Sequence, residues 1–540
     1  MEQYRGKVIV KGNAIGKIYI YTRNHYQVTP QKTEFPEEEV NRYRKAQEIV
    51  IGQLESAYEK AVEIVGARNA SVFDIQAMLL REGKLGQWVE KMILNQKVTS
   101  EYAISQVSRG ISENIFEEKE DWEEEERGQI REVAGRVLNF LTGQNNRMIP
   151  GEEKVILAAK DITPGELLQF DKNRILGLIT EIGAGESHTA VLASAMEIPY
   201  LCGIPFHSEW NGKMAAINGN KGLFCVEPEE KCLEEIKEGL WEQEKEKERL
   251  ETLIGEKAVT LDGERMYVYA NVGREEELEE AITYRVAGIG LVRSEYLFMG
   301  KENYPSEEEQ YEYYRNIVEK MQGKPVHIRT LDIGADKQMN YLRLEEEANP
   351  AMGFRGIRIC LEQEELFRTQ LKALFRAAVY GNLGILYPMI TSVEEIDQIQ
   401  EIIHDIREEM DAKGVVYGEV RQGVMIETPA AVMISDMLAE KVDFFSIGTN
   451  DLIQYVMAAD RQNYKVASLC QSSHPAVIRM MELAVRNAHR YGIPVMVCGE
   501  MASDKELTRK LVEMGVDILS VAPGQILAIR KEIRNTTVRE

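Results

Sequence analysis

The sequence has little positive charge, no long apolar run and no paired-cysteine motif, and each shortage closes off a class of function. Its 65 lysines and arginines stand against 89 aspartates and glutamates, a formal charge of −24, so nucleic-acid backbones and anionic membranes are poor partners. No apolar stretch approaches the ~20 residues that a spanning helix needs, and Met1-Glu2-Gln3-Tyr4-Arg5 is followed by no apolar signal core. The six cysteines, Cys202, Cys225, Cys232, Cys360, Cys470 and Cys498, form no CxxC pair and no framework spacing, which suits free thiols in a reducing cytoplasm. What is left is a soluble acidic protein whose 540 residues call for roughly two to four domains. The charge itself reads either as solubility or as a face for a basic protein partner.

Three textures follow one another. From Pro36 to Thr142 the chain is helical and charged. Val40, Tyr43, Ala46, Val50, Leu54, Ala57 and Ala61 recur at three- and four-residue steps and make one apolar stripe. The acidic run Glu117–Glu126 reads as a solvated helix face. From Lys154 to Pro228, short β-rich runs at Val155–Ala159, Ile175–Thr180 and Gly222–Val226 predict a small α/β unit. The Glu- and Lys-dense segment 229–253 predicts an exposed linking helix. After Ala258, strand-like runs at Tyr267–Val272, Gly288–Val292, Val326–Leu331, Gly384–Ile390, Gly423–Ile426, Phe444–Ile447, Pro494–Val497 and Ile518–Val521 alternate with amphipathic helices such as Ser392–Glu409 and Ala476–His489. Eight such alternations predict a closed (β/α)8 barrel, with an open doubly wound sheet as the alternative.

In such a barrel the C-terminal strand ends form one rim, where the chemistry is built. Arg293 closes the second run and Arg329 sits inside the end of the third; Glu427 closes the fifth; Asn450 and Asp451 follow the sixth, with Arg461 beyond; Cys498 closes the seventh. Each has a plain structural reading, the arginines as loop clamps and Cys498 as a small buried hydrophobe. Their joint placement says more. Guanidinium forks suit phosphate and carboxylate oxygens. Glu427 and Asp451 are hard oxygen ligands for Mg2+ shared with a phosphorylated substrate. A thiol of ordinary pKa stays protonated near neutrality and can donate a proton to a carbon or an enolate.

Upstream, His188 lies in Glu181-Ile182-Gly183-Ala184-Gly185-Glu186-Ser187-His188-Thr189-Ala190, between a predicted strand and a helix at Ala190–Met196. Ser187, His188 and Thr189 would then stand at a helix N-terminus, where free N–H groups favour an anion. A histidine there can accept a phosphoryl group. His474, in Ser-Ser-His-Pro, has no such setting and reads as structural.

These segments together resemble the Enzyme I family of the bacterial phosphoenolpyruvate:sugar phosphotransferase system over essentially the whole chain. The resemblance is carried by Gly-Leu-Val-Arg-Ser-Glu-Tyr-Leu-Phe-Met (290–299), Arg-Thr-Leu-Asp-Ile-Gly-Ala-Asp-Lys (329–337), Val-Met-Ile-Glu-Thr-Pro-Ala-Ala (424–431), Asp-Phe-Phe-Ser-Ile-Gly-Thr-Asn-Asp-Leu (443–452) and Cys-Gly-Glu (498–500). It implies a multidomain α and α/β fold. A phosphohistidine swivelling domain (1–35 and 144–228) would carry an inserted helical subdomain (36–143) that docks the phosphocarrier HPr. A linker helix (229–257) would lead to a (β/α)8 barrel (258–540) that binds phosphoenolpyruvate and forms a homodimer. It further implies His188 as the phosphorylated histidine, Arg293, Arg329, Asn450, Asp451 and Arg461 as substrate ligands, Glu427 and Asp451 as Mg2+ ligands, and Cys498 as proton donor to C3 of the enolate.

Near His188 the pattern departs from the family's Gly-Gly-Arg-Thr-Ser-His and Met-Ala-Arg-Ser. Two positive side chains are missing, one of them replaced by Ser194, and a carboxylate, Glu186, is added. Slower autophosphorylation is the expectation, since a charge-assisted contact contributes roughly 1.5–3 kcal/mol. A regulatory paralogue with weak transfer is therefore the alternative function. A pyruvate phosphate dikinase or phosphoenolpyruvate synthase relative is a further one, although the chain has no nucleotide-grasping domain upstream.

Overall fold

The computed structural model describes residues 2–22, 28–81, 84–112, 124–143, 153–183, 187–299, 301, 303–334, 340–342, 344, 345, 347, 349–461 and 466–538. The chain divides into two compact units, Met1–Lys245 and Glu246–Glu540.

The first unit is built on an eight-stranded sheet. Its strands are β1 (Glu2–Arg5), β2 (Lys7–Val10), β3 (Asn13–Tyr21), β4 (Val155–Ala159), β5 (Ile175–Thr180), β6 (Tyr200–Cys202), β7 (Met214–Asn218) and β8 (Leu223–Val226), in the order β1-β8-β7-β3-β4-β5-β6-β2. The run β3-β4-β5-β6 is parallel and the flanking pairs are antiparallel. Between β3 and β4 the chain leaves the sheet for helices α1 (Pro36–Arg81), α2 (Lys84–Gln96), α3 (Ser100–Ser112) and α4 (Glu124–Leu141). Pro36 opens α1 and Glu37, Glu38 and Glu39 fill its first turn, where a missing N–H costs nothing and negative charge meets the positive end of the helix. The stripe expected on α1 packs inward: Val40, Tyr43, Ala46, Val50, Leu54 and Ala61 are all buried. Residues 117–123 of the acidic run lie outside the described residues.

Short helix α5 (Pro164–Leu167) follows β4, α6 (His188–Ala195) follows β5, and α7 (Glu230–Glu251) leads out of the unit. Helix α6 begins two residues earlier than the sequence suggests, because Ser187 caps it by accepting a hydrogen bond from the Ala190 N–H at 3.2 Å. Helix α7 is not exposed all round; Ile236 is buried.

In the second unit β9 (Ala258–Val259) forms a hairpin with β10 (Arg265–Val272). Then β11 (Ile289–Arg293), β12 (Val326–Arg329), β13 (Leu383–Tyr387), β14 (Arg421–Ile426), β15 (Phe444–Ile447), β16 (Val495–Val497) and β17 (Ile518–Val521) pair in parallel, and β17 returns to β10. The ring is closed, so the barrel expectation holds and the open sheet is excluded. Every strand in it tracks a predicted apolar run to within a few residues. The runs after Arg329 and Tyr387 end sooner than predicted, because Thr330 to Ile333 and Pro388 to Ile390 are buried loop rather than strand.

Two layers of core result. Helix-facing side chains form one continuous cluster, while Tyr269, Leu291, Leu386, Met425, Phe444, Met496, Cys498 and Ile518 fill the barrel interior. Large interior groups face small ones: a Cβ on Gly384 would stand 2.7 Å from Cδ2 of His327. His327 is buried between Tyr269 and Phe444, with ring centroids 6.1 and 4.6 Å away, and its Nδ1 lies 2.9 Å from the Ile289 carbonyl oxygen. Burial, more than the Arg421 charge, lowers this imidazole from 6.5 to about 4.

That shift predicts an acid-labile barrel. The folded chain holds His327 neutral while the unfolded chain protonates near 6.5, so stability declines as pH falls below 6.5 and the loss is complete near pH 4. This single group accounts for about 3 kcal/mol. Urea midpoints of the parent should fall more between pH 7 and 4.5 than those of His327→Leu; parallel declines would refute the assignment.

Candidate active site at the barrel rim

The C-terminal ends of the barrel strands carry a chain of alternating charges. Arg329, at the end of β12, is buried and donates from Nη2 to Glu295 Oε1 at 2.5 Å, while its Nη1 stands 2.7 Å from Asp332 Oδ2. Asp332 also accepts from Nη2 of Arg355 at 3.1 Å, and the same nitrogen lies 3.5 Å from Asp451 Oδ2. Glu427, 1% exposed, completes the group; its Oε1 accepts from the Met389 N–H at 2.6 Å. Burial and then the Asp451 and Asp332 charges push its carboxyl up to about 8, against the opposing pull of Arg355 and Arg329.

Local backbone explains how these groups converge. Strand register sets Arg293 beside Arg329. Asp451 sits in the first turn of the helix Thr449–Met457, and Gly448 before it leaves room for Glu427, whose Oε2 would meet a Cβ there at 2.7 Å. Gly356 holds φ +60°, a conformation that glycine adopts without strain, in the turn that presents Arg355.

Cys498, one residue beyond β16, is 7% exposed. It accepts from the Ser446 hydroxyl at 3.2 Å, and its S–H donates to the Ile447 carbonyl at 3.6 Å. Burial raises the thiol to about 11; Ser446 opposes that and the Glu427 charge adds to it. The thiol is therefore protonated at neutral pH and is within electrostatic reach of Glu427, Arg329 and Asp451. Asn450 and Arg461 meet at Glu500: Asn450 Nδ2 donates to Glu500 Oε1 at 3.2 Å, and Arg461 Nη1 lies 3.9 Å from the same oxygen. Arg293 is more open, 3.5 Å from Glu277 and over the Tyr296 ring at 5.1 Å.

All seven rim residues singled out in the sequence thus stand at one end of the barrel, with Arg329, Glu427, Asp451 and Cys498 in one electrostatic group. Several buried atoms in it have no hydrogen-bond partner among the described residues: Nε of Arg293 and Arg329, Oε2 of Glu295, and the hydroxyls of Thr330 and Thr449. Unpaired buried polar atoms of this kind, donors and an acceptor together, suit a polar ligand.

Sequence reading missed Arg355, Asp332 and Tyr455. Arg355 belongs to no strand end, and its only sequence signal is the Gly353-Phe354-Arg355-Gly356 turn. Tyr455 follows Asp451 by one helical turn; its hydroxyl bonds the Ala351 carbonyl and accepts from Arg355 Nη1 at 3.4 Å. Burial raises that phenol to about 12.

The donor set fits a divalent cation. Four carboxyl groups (Glu295, Asp332, Glu427 and Asp451) face two guanidiniums (Arg329 and Arg355), two more acids than cations. Among the described residues no three carboxylate, histidine or cysteine groups are placed to share one ion, so two carboxylates would leave the remaining coordination to substrate and water, as Mg2+ prefers.

In the first unit, His188 is the exposed first residue of α6. Thr189 is buried and committed, its hydroxyl donating to the Ile162 carbonyl at 2.9 Å. Of the two hydroxyls flanking His188, one therefore caps the helix and the other anchors it. Glu186 lies outside the described residues, and Ser194 is exposed on α6. His474 caps the helix Pro475–Arg490 through Nδ1, which accepts from the Ala476 N–H at 3.2 Å. No described helix is long and apolar enough to cross a membrane.

Three family models match the chain: a PEP-utilising enzyme PEP-binding domain over residues 247–538, a PEP-utilising enzyme N-terminal domain over 5–122, and a PEP-utilising enzyme mobile domain over 151–265. The phosphoenolpyruvate-protein phosphotransferase of Priestia megaterium is 37% identical over 539 residues, covering 99% of this chain and 94% of its own length. That of Listeria monocytogenes is 37% identical over 543 residues, with the same coverage. That of Bacillus subtilis is 35% identical over 547 residues, covering 100% and 95%. A solution structure of an Enzyme I protein (nEIt) is 29% identical and covers 44% of this chain and 99% of its own, with a TM-score of 0.38.

Proposed function

The chain belongs to the phosphoenolpyruvate-protein phosphotransferase family, and from that membership we propose how its residues divide the reaction. Arg293, Arg329, Arg355, Asn450 and Arg461 hold the phosphate and carboxylate of phosphoenolpyruvate. His188 takes the phosphoryl group: the imidazole nitrogen attacks phosphorus, the bond from phosphorus to the enol oxygen breaks, and the electron pair leaves with the enolate. Cys498 then gives its proton to C3, producing pyruvate, and the thiolate recovers a proton from solvent. Little of this is covalent work by the protein. Positioning and charge dispersal supply the rate.

Glu427 and Asp451 would hold Mg2+, which when bound disperses the charge of the phosphoryl group. The single observation that carries the reading is the buried Cys498 thiol at the same strand ends as a guanidinium–carboxylate network that has unpaired donors. Phosphohistidine then passes its phosphoryl group to a histidine of an HPr-like carrier. Ile75 and Met78, exposed three residues apart on α1 beside Asp74, offer such a carrier an apolar contact with an acidic neighbour. Division into a phosphohistidine domain (1–35 and 144–228), an inserted helical domain (36–143), a linker (229–257) and the barrel (258–540) fits this relay. Homodimerisation falls to the barrel, where Met433 and Met437 are 64% and 52% exposed.

Rapid-quench labelling with phosphorus-labelled phosphoenolpyruvate tests the assignment. The parent should acquire acid-labile, base-stable label that moves to HPr, and His188→Gln should acquire none. Label at another residue would sink the assignment, and ligand binding without label would favour the regulatory paralogue. Cys498→Ala should still be labelled at His188 while pyruvate turnover falls by about 10²-fold, the usual contribution of a positioned acid.

A further inference from the structure

Cys225 and Cys232 have no sequence signature, yet their sulfur atoms lie 3.1 Å apart, with the Cys232 S–H donating to Cys225 Sγ. An S–S bond is about 2.05 Å long, so the pair stands roughly 1 Å from covalent distance. Three features of the fold hold it there. Cys225 lies on β8, in register with Gln3 on β1 and with Ala216 on β7, so strands clamp it from both sides. Phe224 and Val226 point into the core with Trp210, and strand alternation therefore sends Cys225 to the opposite face. There α7 covers it. Cys232, Ile236 and Gly239 follow at helix spacing on one face; Ile236 is buried, and Gly239 comes so close that a Cβ would collide with the Asn13 amide.

The two thiols differ in access. Cys225 is 1% exposed, whereas Cys232 is half-buried; both line a cavity of about 180 Å³ whose rim includes Glu229, Lys231 and Glu235. Burial, then the Cys232 neighbour, pushes the Cys225 thiol up to about 12. Such a thiol is inert towards outside reagents but reacts with a sulfur already held against it, because proximity replaces an encounter.

We propose that Cys225 and Cys232 are a redox modification site that closes to a disulfide by exchange with small-molecule disulfides, fastening the first turn of α7 to β8. The Cys232 thiolate attacks one sulfur of the small disulfide, whose S–S bond breaks and releases one thiol. Cys225, losing its proton to solvent, then attacks Cys232 Sγ and expels the second thiol. The protein gives up two electrons and two protons; the small disulfide is reduced to two thiols. The closed form fixes the start of the helix through which the chain passes from its first compact unit to its second.

The test uses the full-length chain, reduced, freed of reductant, and equilibrated with mixtures of oxidised and reduced glutathione before acid quench and alkylation. The expected product has lost two hydrogens and yields one peptide linking Cys225 to Cys232, with Cys202 and Cys360 still alkylated. Cys225→Ser should stop at the mixed disulfide, one glutathione on Cys232, and form it at least about 10-fold faster than Cys232→Ser modifies Cys225. A parent chain in which both cysteines remain alkylated across the series, or a link to any other cysteine, overturns the proposal. The parent peptide map decides even if a variant fails to fold.

Discussion

Arg355→Met should lower kcat/KM for phosphoenolpyruvate by about 10²–10³-fold and cost the barrel roughly 3–5 kcal/mol of stability. The guanidinium of Arg355 lies between two carboxylates, 3.1 Å from Asp332 and 3.5 Å from Asp451. Methionine keeps the length of the side chain and removes its charge. Asp332 then keeps Arg329, at 2.7 Å, but loses its second guanidinium, and Asp451 loses the cation beside it. Leaving a buried charge short of its partner is what makes such a change costly, far more than the pair itself contributes. The two losses separate by measurement. Urea unfolding of the barrel reads the first, and steady-state kinetics well below the unfolding transition reads the second. Arg355→Lys should recover part of the stability and little of the activity, because an ammonium supplies charge without the planar fork. Normal turnover in the methionine variant would remove Arg355 from the substrate site.

Glu427→Gln is expected to move activity and stability in opposite directions. Transfer should fall by about 10³-fold, since the glutamine variant loses an anionic metal ligand at the point where charge must be dispersed. Stability of the metal-free chain should rise. The Glu427 carboxyl, raised in the fold to about 8 from an ordinary 4.5, contributes no destabilisation below pH 4.5 and an increasing one as pH climbs towards 8. The variant has nothing to titrate there, so its advantage should grow across that interval and level off beyond it. For the same reason Mg2+ added to the parent at pH 7 should release a proton and bind more tightly as pH rises to 8. A flat difference in unfolding midpoint between pH 5 and 8 would refute the raised carboxyl.

The sequence announces the barrel because its strands are buried on both faces and read as near-continuous apolar runs, Leu383–Tyr387 and Val495–Val497 being the plainest. The rim residues are legible for a related reason: all but Arg461 stand within a few residues of where such a run stops, so their place in the chain gives their place in space. Arg355 and Tyr455 escape that logic. One lies in a glycine-bounded turn and the other a helical turn beyond Asp451, and only the closed ring of strands brings them to the pocket. The Cys225 and Cys232 pair escapes as well. A strand and a helix meet there through a turn at Glu227, whose φ of +49° no motif encodes. Sequence also could not tell that the Thr189 hydroxyl donates to the Ile162 carbonyl.

Cys498 belongs at once to the rim and to the plug of side chains inside the barrel, packed with Met425, Phe444 and Met496. The height of the sulfur is therefore set from below, by groups that never meet a substrate. Shaving Met496 to alanine would let the thiol sink away from its target, and thickening the layer would lift it out of register. The barrel's filling works as a shim under its own acid.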